Sequence, residues 1–425
     1  AFAQNNGHQN ISDARYVNAL KLFLSGVSPL EYAAFQGYAK VGRQFSGAGA
    51  RVACQMQAID ELRHSQTQQH AMSHYNKHFN GLHDPAHMHD RVWFLSVPKS
   101  FFDDARSAGP FEFLTAISFS FEYVLTNLLF VPFMSGAAYN GDMATVTFGF
   151  SAQSDEARHM TLGLEVIKFI LEQHEDNVPI IQKWIDKWFW RGFRLLSLVG
   201  MMMDYMLPNK VMSWAEAWET YYEKSGGALF KDLERYGIRP PKYQDVANAA
   251  KNHISHQAWA TFYQYSKATN FHTWMPDESE MKWLAEKYPD SFDKYYRPRF
   301  EYWDRKQKEG ERFYNDTLPQ LCQVCQIPAI FTEHESPSVL SLRQVEYNDE
   351  RYHFCSDGCA DIFNDEPEKY IQAWLPVHQI YQGNCDGSNV SEVVSNYYNM
   401  NLGQDNLDYE GSPDQKRWQE IQNNG

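Results

Sequence analysis

Apolar residues recur at helical spacing through the first three-quarters of the chain, broken by short Gly, Pro and Asn punctuation. The pattern predicts a helix over 11–24, closed by Ser25-Gly26. A second starts at Ser28-Pro29-Leu30-Glu31, with Ser28 as N-cap, Pro29 at the first helical position and Glu31 at the third, and runs to about residue 45. The small residues 46–50 form a turn, and a long helix follows to about residue 79. Another runs from about 111 to 130 and is broken by 132–142, and the next spans about 145–173. Helical patterning continues over 180–206, 214–236, 243–268 and 278–307. Near Leu318 the texture changes to Cys pairs and short β-branched or aromatic runs, 329–332 and 351–354.

Two of the long helices carry the same five residues, Asp-Glu-x-Arg-His, at 60–64 and 155–159. Residues three apart share a helix face, so Glu61 with His64, and Glu156 with His159, each aim a carboxylate and an imidazole at one spot. A four-helix two-metal site needs a further carboxylate on each remaining helix. Glu31 lies about 17 residues before the first hairpin turn and Glu61 about 13 after it; Glu122 lies about 16 before the second and Glu156 about 18 after, so each pair sits at nearly one level. Glu31 also reads as the third residue of its capping box. Glu122, among Phe119, Phe121, Tyr123, Val124 and Leu125, has no such alternative, because an unpaired buried carboxylate is costly. Four carboxylates cancel the charge of two ferrous ions, and mixed O/N ligands with open positions suit redox iron. Asp60, Asp155, Arg63 and Arg158 are expected to support the ligands, since metal-bound His donates its other N–H to a carboxylate. Which Asp serves which His stays open.

Composition narrows the class. Among 425 residues, 38 Lys and Arg face 53 Asp and Glu, a net charge of −15 that argues against nucleic acid as a partner. Hydrophobic residues at 43% and aromatics at 15% supply a large core and exclude wholesale disorder. The most apolar region, 180–207, carries Lys183, Asp186, Lys187, Arg191, Arg194 and Asp204, so no membrane span is expected. The first ten residues lack a signal peptide's charged and apolar regions, and a cytoplasmic protein is expected. The chain does not begin with Met, which fits a trimmed front.

The order Glu31, Glu61-x-x-His64, Glu122, Glu156-x-x-His159 resembles the large oxygenase subunit of bacterial multicomponent di-iron monooxygenases, with phenol hydroxylases foremost, toluene monooxygenases next and methane monooxygenase further off. The resemblance implies a mainly α fold, a ferritin-like di-iron bundle over 1–311. It places Thr126 near bound oxygen as a proton-delivery residue, although a Thr can also bond back to a helix carbonyl. It sets Asn127 and Gln153 near the surface where a regulatory protein acts, and Val27, Gln68, Phe101, Phe121 and Phe130 in the substrate pocket.

Cys322-x-x-Cys325 and Cys355-x-x-x-Cys359 form two pairs about thirty residues apart, which reads as a closed structural zinc site; a disulfide is the alternative. Their context, Tyr352-His353-Phe354-Cys355, resembles the treble-clef-like YHS module and defines a unit at 312–375, followed by an extended polar tail at 376–425. Cys54 and Cys385 look unpaired. His78, His83, His87 and His89 cluster without a standard metal spacing and read as ordinary surface or packing histidines.

The expected activity is hydroxylation of phenol or a related aromatic by dioxygen at two irons, with NADH electrons arriving through a separate flavin/2Fe-2S reductase. A toluene or benzene monooxygenase is the alternative, then a desaturase-like oxidase. An iron-storing ferritin or a scaffold subunit would not require this combination of ligands, pocket and zinc unit. The resemblance further implies two smaller hydroxylase subunits in a dimer of heterotrimers and a small regulatory protein.

Overall fold

The computed structural model describes residues 4, 7–11, 13–79, 82, 93–264, 271–310, 321–328 and 342–371. The predicted run 329–332, the tail at 376–425, Cys385, His83, His87 and His89 lie outside them. His78 lies within, its ring stacked on His8 at 3.6 Å.

Two helical hairpins form the centre. In the first, α1 (Ala14–Gly42) packs along α2 (Ala48–Tyr75). A third helix follows, α3 (Ser96–Ser107), which the hydrophobic pattern did not reveal. The second hairpin begins with α4 (Pro110–Leu114), which passes directly into a π-helical stretch, Thr115–Tyr123. After a break at 124–126 the chain bends by 41° into α5 (Asn127–Tyr139). A tight turn through Gly141, whose φ of 81° is left-handed and suits glycine, leads into α6 (Met143–Gln173).

Two helix boundaries correct the sequence reading. The chain does not stop at Ser25–Ser28: α1 runs on through Pro29. Ser28 therefore caps nothing; its hydroxyl donates across to the Ser65 carbonyl of α2 at 3.3 Å. The Ser25 hydroxyl donates to the Lys21 carbonyl at 2.5 Å. Leu20 and Leu24 before the proline, and Leu30 and Ala34 after it, all enter one core. That shared burial outweighs the roughly 3 kcal/mol an interior proline costs. Pro132 likewise sits inside α5, and the interruption falls earlier, at 124–126.

Asp142 locks the hairpins together. It caps α6 by accepting from the Thr145 N–H at 3.1 Å, and its carboxylate also accepts the Tyr16 hydroxyl of α1 at 2.7 Å and the Tyr75 hydroxyl of α2. One buried carboxylate thus joins three helices.

The remaining helices cover the hairpins. They are α7 (Asn177–Leu195), α8 (Ser197–Met201) with its π-helical extension Met202–Met206, α9 (Trp214–Ala217), which runs through a π-helical stretch Trp218–Gly226 into α10 (Gly227–Leu233), then α11 (Gln244–Ala250), α12 (Ile254–Gln264), α13 (Glu278–Lys287) and α14 (Arg297–Lys308), preceded by a π-helical turn Phe292–Tyr296. Trp188, Trp190, Trp214, Trp218 and Trp259 are wholly buried among them. Beyond lies a small unit: β1 (Arg343–Tyr347) pairs antiparallel with β2 (Glu350–Phe354) across Asn348-Asp349, whose φ values of 51° and 63° suit a two-residue hairpin turn. Then come α15 (Asp357–Asp365), capped by Ser356, and α16 (Pro367–Ile371). An isolated bridge, Leu321 to Pro328, closes the loop carrying Cys322 and Cys325. Among the described residues no single helix is long and apolar enough to cross a membrane.

Candidate metal centre and cavity

The hairpins bring six predicted residues to one buried place: Glu31 from α1, Glu61 and His64 from α2, Glu122 from the π-helical stretch, and Glu156 and His159 from α6. They divide into two nests. His64 Nδ1 faces Glu31, Glu61 and Glu156 at 3.8, 3.6 and 3.7 Å. His159 Nδ1 faces Glu61, Glu156 and Glu122 at 3.1, 3.3 and 3.6 Å. Glu61 and Glu156 face both imidazoles, which makes them the carboxylates that two ions would share.

The residues present fit a pair of metal ions. His64 Nδ1, His159 Nδ1, Glu61 Oε2 and Glu156 Oε2 are buried without a hydrogen-bond partner. Burial, then the charge of Glu31, pushes Glu61 well up, and burial also raises Glu156. Burial by itself would lower both histidines. The neighbouring Glu31 and Glu61 carboxylates instead lift His64 to about 10, and Glu122 and Glu156 lift His159. A protein that concentrates carboxylates around bare ring nitrogens in this way is electrostatically incomplete without cations.

The outer faces of the rings settle the open question of the aspartates: they cross. His64 Nε2 donates to Asp155 Oδ2 at 3.0 Å, while His159 Nε2 lies 3.5 Å from Asp60 Oδ2. Each hairpin supports the other hairpin's histidine. Arg158 donates to Asp60 at 2.8 Å and to Asp155 at 2.7 Å, and Arg63 pairs with Asp155. His159 nearby, with Arg158 beside it, holds the Asp60 carboxyl down at about 2.

Tyr38 was missed in sequence. Its fully buried hydroxyl lies 2.9 and 3.0 Å from the two Glu122 carboxylate oxygens, and 2.6 Å from the Ser118 hydroxyl. Gly37 makes room for this: a Cβ there would sit 2.3 Å from the Phe113 ring, which packs edge-on against Tyr38 at 5.2 Å. The only sequence signal was spacing, two helical turns beyond Glu31.

An apolar cavity of about 80 Å³ opens beside the carboxylates. Val27, Phe121 and Phe130 line it, with Leu129, Leu195, Leu198, Val199 and Met202. Among the described residues, Thr126 is the only polar side chain in its wall besides Glu31, Glu61, Glu122 and Glu156. Its hydroxyl donates to the Phe121 carbonyl at 3.2 Å, the backbone bond foreseen as the alternative to a chemical role. Two predicted pocket residues stand back from the cavity. Gln68 donates to Glu31 at 3.1 Å, and Phe101 packs behind Phe121 with ring centroids 5.2 Å apart. Asn127 and Gln153 are half-buried and outside the lining.

The four cysteines also converge. Cys322, Cys325, Cys355 and Cys359 are buried and free, with sulfurs 3.5 Å apart for Cys325 and Cys355 and 3.7 Å for Cys355 and Cys359. Four converging sulfurs with no open position fit a tetrahedral zinc ion.

A family model for methane, phenol and alkene hydroxylases matches residues 1–174, and a YHS-domain model matches 332–374, beginning after the first Cys pair. The phenol 2-monooxygenase oxygenase component DmpN of Pseudomonas sp. strain CF600 is 78% identical over 98% of this chain and 81% of its own length. The alkene monooxygenase oxygenase component alpha subunit of Xanthobacter autotrophicus is 27% identical over 79% of this chain and 68% of its own. The X-ray structure of xenon-pressurized phenol hydroxylase from Pseudomonas sp. OX1 superposes with a TM-score of 0.92 at 83% identity, covering 99% of this chain and 85% of that one.

Proposed function

The chain belongs to the methane/phenol/alkene hydroxylase family, and from that premise we propose that it is the oxygenase component of a multicomponent phenol monooxygenase. The observation that carries this reading is the pair of histidine–carboxylate nests sharing Glu61 and Glu156 beside an apolar cavity. The reaction places one oxygen atom of dioxygen on the aromatic ring and releases the other as water, consuming two electrons from NADH.

Glu31 and His64 would hold one ion and Glu122 and His159 the other, with Glu61 and Glu156, which face both imidazoles, available to both. Iron bound there supplies the reduction of dioxygen that ring hydroxylation requires. The protein's own part is positional. Asp155 keeps the His64 N–H on the outer side, and the Asp60 carboxylate 3.5 Å from His159 Nε2 favours the same tautomer there, so that each Nδ1 lone pair faces inward. Tyr38 orients Glu122. Phe121, Phe130 and Leu129 offer an aromatic substrate a dry wall. Among the described residues, Thr126 carries the one hydroxyl in the cavity wall; turning its O–H from the Phe121 carbonyl into the cavity makes it a donor to the reacting oxygen.

The relatives' names, components and subunits of larger systems, support a multicomponent assembly. Its finer composition is part of the proposal: two smaller hydroxylase subunits, a regulatory protein, a flavin/2Fe-2S reductase taking NADH, and zinc at the four cysteines. The test is co-expression with those subunits, followed by metal analysis and product analysis with phenol and toluene. Two irons and one zinc per chain with faster hydroxylation of phenol are expected. Iron-free folded protein, or turnover of toluene alone, overturns the reading.

A further inference from the structure

Asp104 of α3 is a buried carboxylate on which three elements converge. It is 8% exposed. From α7, Arg191 Nη1 donates to its Oδ2 at 2.6 Å, and Arg191 Nη2 donates to Ser100 Oγ at 3.3 Å. Ser100 and Asp104 are four apart on one helix face, so a single guanidinium spans a full turn of α3. From α16, the Tyr370 hydroxyl donates to the same Oδ2 at 2.7 Å, and Lys369 forms an ion pair with Asp104. Lys187 of α7 extends the cluster. Its ammonium lies 4.0 Å from Asp104 and donates to Glu112 at 3.2 Å and to Glu366 at 2.6 Å.

The small unit that supplies Tyr370 and Lys369 is itself tied down. The Tyr370 carbonyl accepts from Gln323 Nε2, next to Cys322, at 2.7 Å. Trp190 Nε1 of α7 donates to Ser356 Oγ at 3.2 Å, and a Cβ on Gly358 would sit 2.4 Å from the same indole nitrogen. The opposite face of α3 meets the cavity, where Pro98 and Phe102 form wall. Phe101 and Phe102 both pack on Phe121, with ring centroids 5.2 and 5.7 Å apart, and Phe101 meets Trp188 of α7 edge-on at 5.4 Å.

We infer that Asp104 is a positioning residue through which the β1–α16 unit braces α3, and with it the Pro98 and Phe102 wall of the cavity. A helix of 12 residues is marginal alone, so its place depends on what holds it. Breaking a buried ion pair leaves an uncompensated charge, so Asp104 and Arg191 tolerate few alternative arrangements. The small unit thereby shapes substrate binding without touching substrate. The inference rests on the reading of this cavity as the aromatic substrate's site.

The test uses the full chain with its partner subunits. Asp104→Asn removes the charge shared by Arg191 and Lys369. Tyr370→Phe deletes one bond from a residue outside the cavity and decides the matter if Asp104→Asn fails to fold. Hydrogen exchange over 98–106 is the first readout. A hydrogen bond to a charged group is worth roughly a factor of ten or more, and exchange there is expected to quicken by about that factor in Tyr370→Phe, with exchange in α2 and α6 unaltered. Unchanged exchange over 98–106 in folded Tyr370→Phe overturns the inference. The second readout is steady-state turnover of phenol. A loosened wall weakens binding in ground and transition state alike, so KM is expected to rise while kcat changes little. An unchanged KM, or a fall in kcat alone, overturns the cavity role. Absence of phenol turnover in the unmodified complex would fail the substrate reading itself, and the exchange result would still report on the brace.

Discussion

At the scale of single residues, Tyr38 changes what a carboxylate at position 122 can do. Its hydroxyl touches both Glu122 oxygens, so Glu122 enters any metal site already oriented. Tyr38→Phe keeps the ring packing and deletes that bond. The expected outcome is iron retained at about tenfold lower affinity, read as iron per chain after dialysis against a graded chelator series. Glu61→Ala or Glu156→Ala should behave differently, losing both irons together because each carboxylate faces both nests; a variant retaining one iron would contradict the sharing. Thr126→Val should keep iron and change the ratio of product formed to NADH consumed, and an unaltered ratio would remove Thr126 from proton delivery. The Glu and His residues were legible because a three-residue spacing fixes a helix face by itself. The aspartate crossing was not, since it depends on partners 91 residues apart. Tyr38 was hidden for another reason: a tyrosine in an apolar helix reads as core.

At the scale of elements, the approach of α6 to the π-helical stretch sets the site's dimensions. A Cβ on Gly163 would lie 2.6 Å from the Ser118 backbone carbon, and backbone cannot rotate away as a side chain can. Gly163→Ala should therefore push α6 from the segment carrying Glu122, destabilising the fold by about 1–3 kcal/mol. A lowered melting temperature with reduced iron content is the expected pair of readings; normal values for both would mean the helices yield freely. Element existence was readable from periodicity, but local punctuation misled. Ser28-Pro29 has the sequence of a helix start, yet both of its flanks bury apolar side chains, and one continuous core keeps α1 intact. The π-helical stretch left no pattern of its own, because Thr115–Phe121 is buried on every side and carries no periodic signal.

At the scale of the whole molecule, burial far from the metal sites shapes the response to pH. Burial lowers His253 to about 4, where it stays neutral with Nδ1 2.9 Å from the Tyr296 hydroxyl. Its folded-state pKa lies below the unfolded value near 6.5. Its contribution is therefore complete above pH 6.5 and is lost as pH falls toward 4. The difference corresponds to about 3 kcal/mol. Chemical denaturation between pH 7 and 4 should show this loss, and His253→Asn should reduce it by a comparable amount. The mainly α architecture and the cysteine unit were both readable from the chain. The crossed aspartates also bear on how the protein is made. A chain leaves the ribosome from its N-terminus at about 5–20 residues per second. His64 thus waits roughly 5–20 s for Asp155, 91 positions behind it, and Glu61 waits as long for Glu156. Iron cannot find its finished cradle on the early nascent chain. Loading is a late event in the life of each molecule, after the second hairpin has been synthesised and has closed on the first.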